Sequence, residues 1–321
     1  MLAVTCTAQS MDDPLSGLTV GERPDPVVPD GWLRVSLKAA ALNHHDLWSL
    51  KGVGLPADRL PMVLGCDGAG VLDDGTEVVV HAVVSSPTWT GDETLDPKRS
   101  LLSEIYDGTL AEQVVVPARN VLPKPGVLSW EQAACLPTAW LTAYRMLFTQ
   151  SGLRPGQTVL VQGAGGGVAT AAIVLARAAG LVVWATSRDE GKRAKAKDLG
   201  AHEVFESGAR LPGKVDAVVE TVGKATWSHS MRALRPGGTL VVSGATSGPD
   251  PSADLNRLFF LQLRVIGSTM GTRDELASLL AFCEATGVRP VVDEVRPMSQ
   301  AAESFAKMAG GDVFGKLVLT T

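Results

Sequence analysis

The chain has 321 residues, of which 45% are hydrophobic and 20% are charged, and its formal net charge is −5. This length predicts about two domains, and the composition is typical of a soluble globular protein. Acidic and basic residues are interspersed, which argues against a nucleic-acid-binding surface. No apolar run reaches the ~18 residues that span a membrane, and the N-terminal segment does not resemble a signal peptide, so we expect a cytoplasmic protein.

The cysteines are scattered along the sequence and form no Cys-x-x-Cys pair. In a reducing compartment such cysteines are free thiols. Their spacing also argues against a structural zinc cluster, which needs four ligands close together. The four cysteines are Cys6, Cys66, Cys135 and Cys283.

Residues 1–122 are rich in predicted strands. Apolar runs predict strands over 33–42, 77–84 and 110–116, with glycine-containing bends between them. The polar stretch 85–108 predicts a flexible loop over a cleft. Many short strands with glycine turns are typical of a barrel-like domain, and a last strand over 314–319 is predicted to return to it.

Residues 129–149 predict helices that link two domains, with Ser129 as N-cap and Gln132 three residues later. Strands and helices then alternate, which is the pattern of a parallel sheet covered by helices on both faces. A further helix is predicted over 275–286. The six predicted strands of this sheet cover 158–162, 181–185, 203–205, 215–220, 239–243 and 264–268.

A glycine-rich turn, residues 163–167, follows the first strand of the predicted parallel sheet. Glycines let the backbone bend sharply and allow a pyrophosphate to approach without a Cβ in the way. The next helix offers free N–H groups and the positive end of its dipole to the phosphates. The turn therefore predicts a dinucleotide site, and a turn that binds no nucleotide is the alternative. The predicted contacts are Gly163, Ala164, Gly166, Gly167 and Val168.

The end of the second strand predicts which nicotinamide cofactor is bound. An NAD site carries Asp or Glu about 20 residues past the glycines, whereas this chain has Ser187 and Arg188 there. A hydroxyl and a guanidinium suit a 2′-phosphate, and Lys192 lies one turn further. Asp189 and Glu190 are expected at the start of the next helix, where acids suit the dipole. NADPH is thus favoured over NADH, and a solvated basic helix face is the alternative.

Six segments carry a family resemblance: ALNHHDLW (41–48), LGCDGAGV (64–71), ACLPTAWLTAYRML (134–147), GAGGGVAT (163–170), LRPGGTLVVSGATSG (234–248) and FGKLVL (314–319). Together they resemble the medium-chain dehydrogenase/reductase superfamily, and most closely its zinc-independent quinone oxidoreductase-like branch. The resemblance implies an α/β fold with a GroES-like β-barrel domain, residues 1–124 and 271–321, and a Rossmann domain with a doubly wound parallel sheet, residues 125–270. It also implies a homodimer joined through Rossmann sheet edges, with residues 264–270 as the edge strand.

The same resemblance extends the predicted cofactor site beyond the glycine turn. A threonine at the position of Thr142 lies against the nicotinamide in related proteins, although Thr142 could instead serve helix packing. Loops that follow later strands of the sheet complete the predicted site. Its members there are Val222, Gly244, Ala245, Ser268 and Thr269.

Zinc-dependent members of the superfamily hold their catalytic metal with ligands at positions that correspond here to Asn43, Cys66 and Thr138. Catalytic zinc needs three nitrogen, sulfur or carboxylate ligands and an open position. Because Asn and Thr are poor zinc ligands, the sequence predicts no catalytic metal. Alternative ligands for an improvised site, close in the sequence, are His44, His45 and Asp67.

Without a metal to lower an alcohol's pKa, alcohol oxidation is disfavoured. Hydride transfer from NADPH to a quinone or an α,β-unsaturated carbonyl is feasible, because the acceptor's own carbonyl spreads the developing charge. By motif position, Asn43 is predicted as a hydrogen-bond donor to that carbonyl and His45 as a proton donor. The alternatives are a turn residue that bonds its own backbone, for Asn43, and a partly buried structural histidine, for His45.

The sequence thus predicts an NADPH-dependent, zinc-free reductase of small electrophilic molecules, with no nucleic-acid or membrane partner. Two other functions stay open. One is a zinc-dependent alcohol dehydrogenase, and the other is a non-enzymatic NADPH-binding sensor.

Overall fold

The structure is a computed structural model that describes residues 1–321. Its strands are β1 (Leu2–Cys6), β2 (Leu18–Glu22), β3 (Trp32–Ala41), β4 (Met62–Val63), β5 (Asp67–Leu72), β6 (Glu77–Val80), β7 (Val83–Val84), β8 (Ser100–Leu101), β9 (Gln113–Pro117), β10 (Val121–Pro123), β11 (Thr158–Val161), β12 (Val182–Ser187), β13 (Glu203–Glu206), β14 (Val215–Glu220), β15 (Leu234–Val242), β16 (Arg264–Gly267), β17 (Val292–Pro297) and β18 (Lys316–Thr320). Its α-helices are α1 (His44–Leu50), α2 (Trp130–Ala134), α3 (Leu141–Tyr144), α4 (Gly167–Ala178), α5 (Glu190–Asp198), α6 (Lys224–Ala233), α7 (Leu255–Phe260), α8 (Arg273–Thr286) and α9 (Ala301–Gly310).

The chain divides into two compact units. The first comprises Met1–Leu141 and Met270–Thr321, and the second comprises Thr142–Thr269. Residues 125–141, which are predicted from the sequence to lie in the second domain, group with the first of these units. The physical reason is that α2 packs against β3, β5 and β18 of the first unit. The second boundary lies one residue before its predicted place.

The first unit is built around a seven-stranded sheet in which β10, β6, β5, β3, β18 and β17 are neighbours in that order and β9 also pairs with β3. The last strand, β18, runs antiparallel to β3, with Val318 opposite Ala41. The predicted return of the C-terminal strand is confirmed. This pairing brings Lys316, the first residue of β18, beside the segment that follows β3.

Residues 77–84, predicted as one strand, form two strands with a break at residues 81–82. The Asn120 side chain lies at this break, and its amide donates hydrogen bonds to the carbonyls of His81 (2.8 Å) and Val83 (2.7 Å). A buried side chain thus replaces part of the strand ladder. The apolar pattern of the sequence carries no sign of this replacement.

The stretch 85–108, predicted as an irregular loop, contains ordered turns. Its strand β8 pairs with β7, and the carboxylate of Asp96 accepts hydrogen bonds from the backbone N–H groups of Ser86 (2.7 Å) and Lys98 (2.8 Å). Acidic side chains that bond nearby backbone are a common way to build such turns. This stretch supplies two residues of the candidate site described below.

The predicted helical stretch 129–149 is confirmed in outline. Ser129 is the N-cap of α2 and accepts a hydrogen bond from the N–H of Gln132 (3.2 Å). The helix continues through Gln150 with two π-helical segments, Leu136–Trp140 and Arg145–Gln150, on either side of α3. π-helical segments are rare and occur frequently at functional sites.

The second unit is a parallel six-stranded sheet with the order β13-β12-β11-β14-β15-β16. This is the doubly wound order, in which the direction of winding reverses between β11 and β14 and ligands bind outside the carboxyl ends of the strands. All six predicted strands are present. β12 continues to Ser187, two residues beyond its predicted end, and β15 begins at Leu234, five residues before its predicted start.

The helices of the second unit cover its sheet with small and apolar side chains. α4 packs on β11 and β12, and α6 packs on β14 and β15. One core cluster contains Leu160, Val218, Met231 and Leu240, each at most 3% exposed. None of the helices in the structure has both the length and the apolar character that a membrane crossing requires.

Candidate active site

The glycine turn of the second unit has the backbone geometry that its sequence predicts. Gly163 has φ +71°, and an added Cβ there would lie 2.7 Å from Cγ2 of Val222. Gly165 has φ +142°, and its added Cβ would lie 2.9 Å from Cδ of Lys192. Gly166 differs, because an added Cβ would meet no atom within 4 Å. The turn therefore needs glycine at 163 and 165 and leaves open space over Gly166.

Helix α4 begins directly at this turn, with Gly166 as its N-cap. The first N–H group bonded within the helix is that of Thr170, which donates to the carbonyl of Gly166 (3.0 Å). The N–H groups of Gly167, Val168 and Ala169 have no carbonyl one turn earlier to accept them. Such groups and the helix dipole together favour an anion at this end.

Basic side chains follow β12, whereas the acidic residues after this strand lie at the start of helix α5. Asp189 is the N-cap of α5, and its carboxylate accepts a hydrogen bond from the N–H of Lys192 (2.7 Å). The expected place of Asp189 and Glu190 at a helix start is confirmed. Ser187 is buried, and Arg188 is exposed. No acid of an NAD site therefore stands at the end of this strand.

Arg193 completes the cluster of cations and is not among the residues predicted from the sequence. Its guanidinium donates hydrogen bonds to the carbonyls of Ser187 (2.8 Å) and Arg188 (3.1 Å). Its position four residues after the N-cap Asp189, hence on the first turn of the helix, was the signal that could have identified it. Arg193 thus fixes the backbone of both residues that are predicted to meet the 2′-phosphate.

The remaining predicted cofactor residues fall into two groups. The loops after β14 and β15 pack closely, because an added Cβ at Gly223 would lie 2.9 Å from Cα of Ala245, and one at Gly244 would lie 3.0 Å from the carbonyl oxygen of Thr221. Val222, Gly244 and Ala245 therefore gather at the carboxyl ends of the strands. Thr142, Ser268 and Thr269 lie at the two chain ends of this unit, and their cofactor contacts stay predictions.

In the first unit, Asn43 has an internal partner for each polar atom of its side chain. Nδ2 donates to Oδ2 of Asp67 (2.9 Å) and to the carbonyl of Ala41 (3.3 Å), and Oδ1 accepts from Nζ of Lys316 (2.6 Å). Lys316 is 3% exposed and pairs with Asp67 at 2.8 Å. Donation to a substrate oxygen stays a prediction for Asn43, and it would require the amide to leave one of these partners.

His45 lies between a carboxylate and a thiol. Its Nε2 is 3.1 Å from Oε1 of Glu104, and its Nδ1 is 3.5 Å from Sγ of Cys66. The thiol of Cys66 itself donates to the carbonyl of Leu102 (3.1 Å), so the sulfur accepts from the ring. Nε2 of His45 thus faces a carboxylate, and Nδ1 faces the Cys66 sulfur and the Ser103 hydroxyl, which lies at 3.5 Å. Each ring nitrogen can donate a proton to a neighbour in this arrangement.

The charge states of His45 and Glu104 follow from the groups around them. Burial acts to lower the pKa of His45, but its acceptors outweigh burial and raise this pKa well above the ordinary value. Burial also raises the pKa of the Cys66 thiol, against the lowering effect of His45. The acceptors that raise the pKa of His45 are Cys66 first and then Glu104. Burial acts to raise the pKa of Glu104 as well, but its bonds to His45 and the Leu101 N–H lower it. The pair is therefore an imidazolium and a carboxylate.

The donor set of this region does not fit zinc. Asn43 and Thr138 cannot supply a thiolate, imidazole or carboxylate, and among all residues of the chain no group of three or more His, Cys, Asp and Glu side chains is placed to hold a metal ion. The improvised alternative is not assembled either. Asp67 is bonded to Lys316 and Asn43, whereas His45 is bonded to Glu104 and Cys66.

Comparisons with known proteins agree on the type of protein. Residues 29–126 match the family described as alcohol dehydrogenase GroES-like domain, and residues 167–285 match the family described as zinc-binding dehydrogenase. Acryloyl-coenzyme A reductase of Metallosphaera sedula is 30% identical, with 95% of this chain and 97% of the relative covered. A solved NAD-dependent alcohol dehydrogenase is 37% identical over the whole of both chains, with a TM-score of 0.92. The 2-octenoyl-CoA carboxylase reductase CinF, solved with NADP and 2-octenoyl-CoA, is 25% identical over 99% of this chain and 87% of its own, with a TM-score of 0.90.

Proposed function

The chain belongs to the medium-chain dehydrogenase/reductase superfamily of oxidoreductases, and we propose that it uses NADPH to reduce α,β-unsaturated carbonyl compounds or quinones without zinc. The observation that carries this proposal is the contact between Nε2 of His45 and Oε1 of Glu104 (3.1 Å) in a region whose donor set does not fit a metal. A protonated ring can supply the proton that such a reduction needs. Alcohol oxidation would instead need a base or a metal.

The preference for NADPH rests on the cations at the end of β12. The residues that follow this strand include three cations, Arg188, Lys192 and Arg193. The acid among them, Asp189, is the N-cap of α5. Guanidinium groups bind phosphate oxygens well. CinF, which was solved with NADP, supports this assignment, whereas the NAD-dependent relative shows that overall similarity does not decide the cofactor.

The reaction divides the work between cofactor and protein. A bound reduced nicotinamide supplies the hydride. Addition of hydride to the β-carbon moves the electron pair of the C=C bond toward the carbonyl oxygen, and a proton then adds to the α-carbon. We assign this proton to His45, whose side chain is 19% exposed, and its replacement to solvent through Glu104, which is 23% exposed. Lys316 and Asp67 hold Asn43 and the backbone after β3 in place.

Two of the relatives support one of the two proposed substrate classes. Acryloyl-coenzyme A reductase and CinF carry the names of α,β-unsaturated thioesters. Such a thioester is an activated alkene of the kind proposed here. We therefore place enoyl thioesters and enones before quinones as substrates of this chain.

We also propose that the chain forms a homodimer through the free edge of the parallel sheet. β16 is the last strand of that sheet, and Val265 on it is 43% exposed. The neighbouring helix α7 exposes Phe259 (69%) and Phe260 (79%). An unpaired edge beside exposed aromatic residues is a typical pairing surface. The four free, buried cysteines fit a reducing compartment such as the cytoplasm, the location that we propose.

The test is NADPH oxidation against a panel of enoyl thioesters, enones, quinones and aldehydes, with metal content measured on the same sample. We expect turnover with the activated alkenes and no stoichiometric zinc. One zinc per chain that is lost together with activity would contradict the proposal in favour of an alcohol dehydrogenase. Tight NADPH binding without turnover on any acceptor would contradict it in favour of a sensor.

A further inference from the structure

Three strands of the parallel sheet end in polar side chains that share one buried network. Gln162 directly follows β11, Thr186 is the penultimate residue of β12, and Glu220 is the last residue of β14. All three are 0% exposed. Each of them immediately precedes a segment that the proposed function assigns to the cofactor. A buried polar side chain at all three positions is costly unless each finds a partner.

The hydrogen bonds of this network run in one direction. Oγ1 of Thr186 donates to Oε1 of Gln162 (2.6 Å), and Nε2 of Gln162 donates to Oγ of Ser230 (2.9 Å) and to Nδ1 of His229 (2.9 Å). Oγ of Ser230 donates to Oε2 of Glu220 (2.5 Å). The other ring nitrogen of His229 donates to the backbone carbonyl of Ala209 (2.9 Å). Every donor thus has an acceptor, and the chain of bonds ends at the carboxylate of Glu220.

The carboxylate of Glu220 in turn holds the next loop. Its Oε1 accepts hydrogen bonds from the N–H groups of Val222 (2.8 Å) and Gly223 (3.0 Å) and from Oγ1 of Thr226 (2.9 Å). Val222 is the residue whose Cγ2 lies over Gly163. The network therefore sets the side chain that packs on the glycine turn.

The other end of the network reaches the glycine turn directly. The N–H of Gly163 lies 3.4 Å from Oγ1 of Thr186, and the N–H of Ala164 donates to the carbonyl of Thr186 (2.7 Å). The turn, the strand end before Arg188 and the loop of Val222 are thus connected by hydrogen bonds that pass through the buried side chains of Thr186, Gln162, Ser230 and Glu220. Loops that are fixed before a ligand arrives bind it with a smaller loss of conformational entropy.

We propose that Gln162, Ser230 and Glu220 are positioning residues that hold the glycine turn and the Val222 loop in their cofactor-binding geometry before the cofactor binds. This inference rests on the proposed function, since it takes these loops as the cofactor site. The network lies beneath the parts of the site that NADPH and NADH share. Its loss therefore weakens both cofactors alike, unlike the loss of a cation at the 2′-phosphate.

The first test uses the protein without cofactor. Ser230→Ala removes the hydroxyl that links Gln162 to Glu220. Gln157→Leu is the control. Gln157 precedes the opposite end of β11 and also makes two side-chain hydrogen bonds. We expect hydrogen exchange at the N–H groups of Val222 and Gly223 to accelerate by about tenfold in Ser230→Ala, the equivalent of one buried hydrogen bond. Unchanged exchange at these two groups, or an equal change in the control, would overturn the inference.

The second test measures dissociation constants of NADPH and NADH by fluorescence. Thr186→Val keeps the shape of the side chain and removes its hydroxyl, whereas Thr186→Ser keeps the hydroxyl. We expect Thr186→Val to weaken both cofactors by about tenfold and Thr186→Ser to restore them. Equal affinities in the two variants would contradict the inference. A wild-type chain that binds neither cofactor would refute the proposed function, and the exchange measurement would still decide the role of the network.

Discussion

At the scale of single residues, the end of β12 carries the choice of cofactor. Arg188 is exposed, and its backbone carbonyl is held by Arg193 at 3.1 Å. Because the backbone of Arg188 is fixed and its side chain is exposed, its guanidinium can reach the 2′-phosphate of the cofactor without movement of the strand. The position carries positive charge where an NAD site carries an acid.

We predict that Arg188→Ala weakens NADPH binding and leaves NADH nearly unchanged. The loss is about 1.5 kcal/mol, at the lower end for a charge-assisted hydrogen bond because the side chain is exposed. Fluorescence titration with both cofactors measures it, and Lys197→Ala, near the far end of α5, is the matched control. Equal losses for NADPH and NADH would show that Arg188 supports the shared part of the site.

His45 and Glu104 set a second residue-scale prediction, on pH. A histidine whose pKa is raised stays protonated to a higher pH, and its contribution as an acid is lost as the pH rises through that raised pKa. We predict that the rate of enone reduction falls over that range. Glu104→Gln removes the carboxylate and should move the fall to lower pH, toward ~6.5. If the profile of kcat against pH is identical in the wild type and in Glu104→Gln, Glu104 has no role in the reaction.

Replacing the ring itself distinguishes the two substrate classes. We predict that His45→Gln lowers kcat for an enone on the order of a hundredfold, the lower end of what a positioned acid contributes. A quinone should be affected less, because its reduced oxygens can take protons from water. The measurement is kcat with one enone and one quinone, after NADPH binding has been checked. Wild-type kcat with both acceptors would remove His45 from the catalytic residues.

At the scale of elements, the glycine turn combines a backbone requirement with a packing requirement. Gly163 and Gly180 have similar backbone angles, φ +71° and +76°. An added Cβ at Gly163 would lie 2.7 Å from Val222, whereas one at Gly180 would lie at an ordinary 3.5 Å from Pro155. The two positions therefore separate the cost of conformation from the cost of a displaced cofactor loop.

We predict that Gly163→Ala and Gly180→Ala each lower the free energy of unfolding by about 1 kcal/mol or more, because both force alanine to a positive φ. Only Gly163→Ala should also weaken NADPH, since Val222 must move. Denaturant unfolding and cofactor titration of both variants test this. Loss of NADPH affinity in Gly180→Ala of the same size would show that general instability is the cause.

The elements also show which features a sequence can predict. The strand, glycine turn and helix from 158 to 178 are contiguous, and their period and turn chemistry identify them directly. Glu104 and Lys316 were missed because their partners are distant in sequence, 59 residues away at His45 and 273 residues away at Asn43. Glu104 lies in a polar loop and Lys316 lies in a strand. The residues next to them in the sequence do not indicate that they pair with distant side chains. Asn43 was predicted as a free donor because its partners come from two other strands.

At the scale of the whole molecule, the exposed edge at β16 predicts assembly. We expect sedimentation to show a dimer and Val265→Lys to shift it toward monomer, since a lysine on an edge strand opposes pairing. Val295→Lys is the control, because Val295 is similarly exposed (46%) on the edge strand β17 of the other sheet. A monomeric wild-type protein would refute the proposed homodimer.

The proposed reaction is the transfer of hydride from NADPH to an activated alkene without a metal. It is tested most directly with NADPH deuterated at C4 and an enone or enoyl thioester, after exhaustive treatment of the enzyme with a chelator. We predict deuterium at the β-carbon of the product and a rate equal to that of the untreated enzyme. Absence of deuterium in the product, or activity that returns only when zinc is added back, would contradict it.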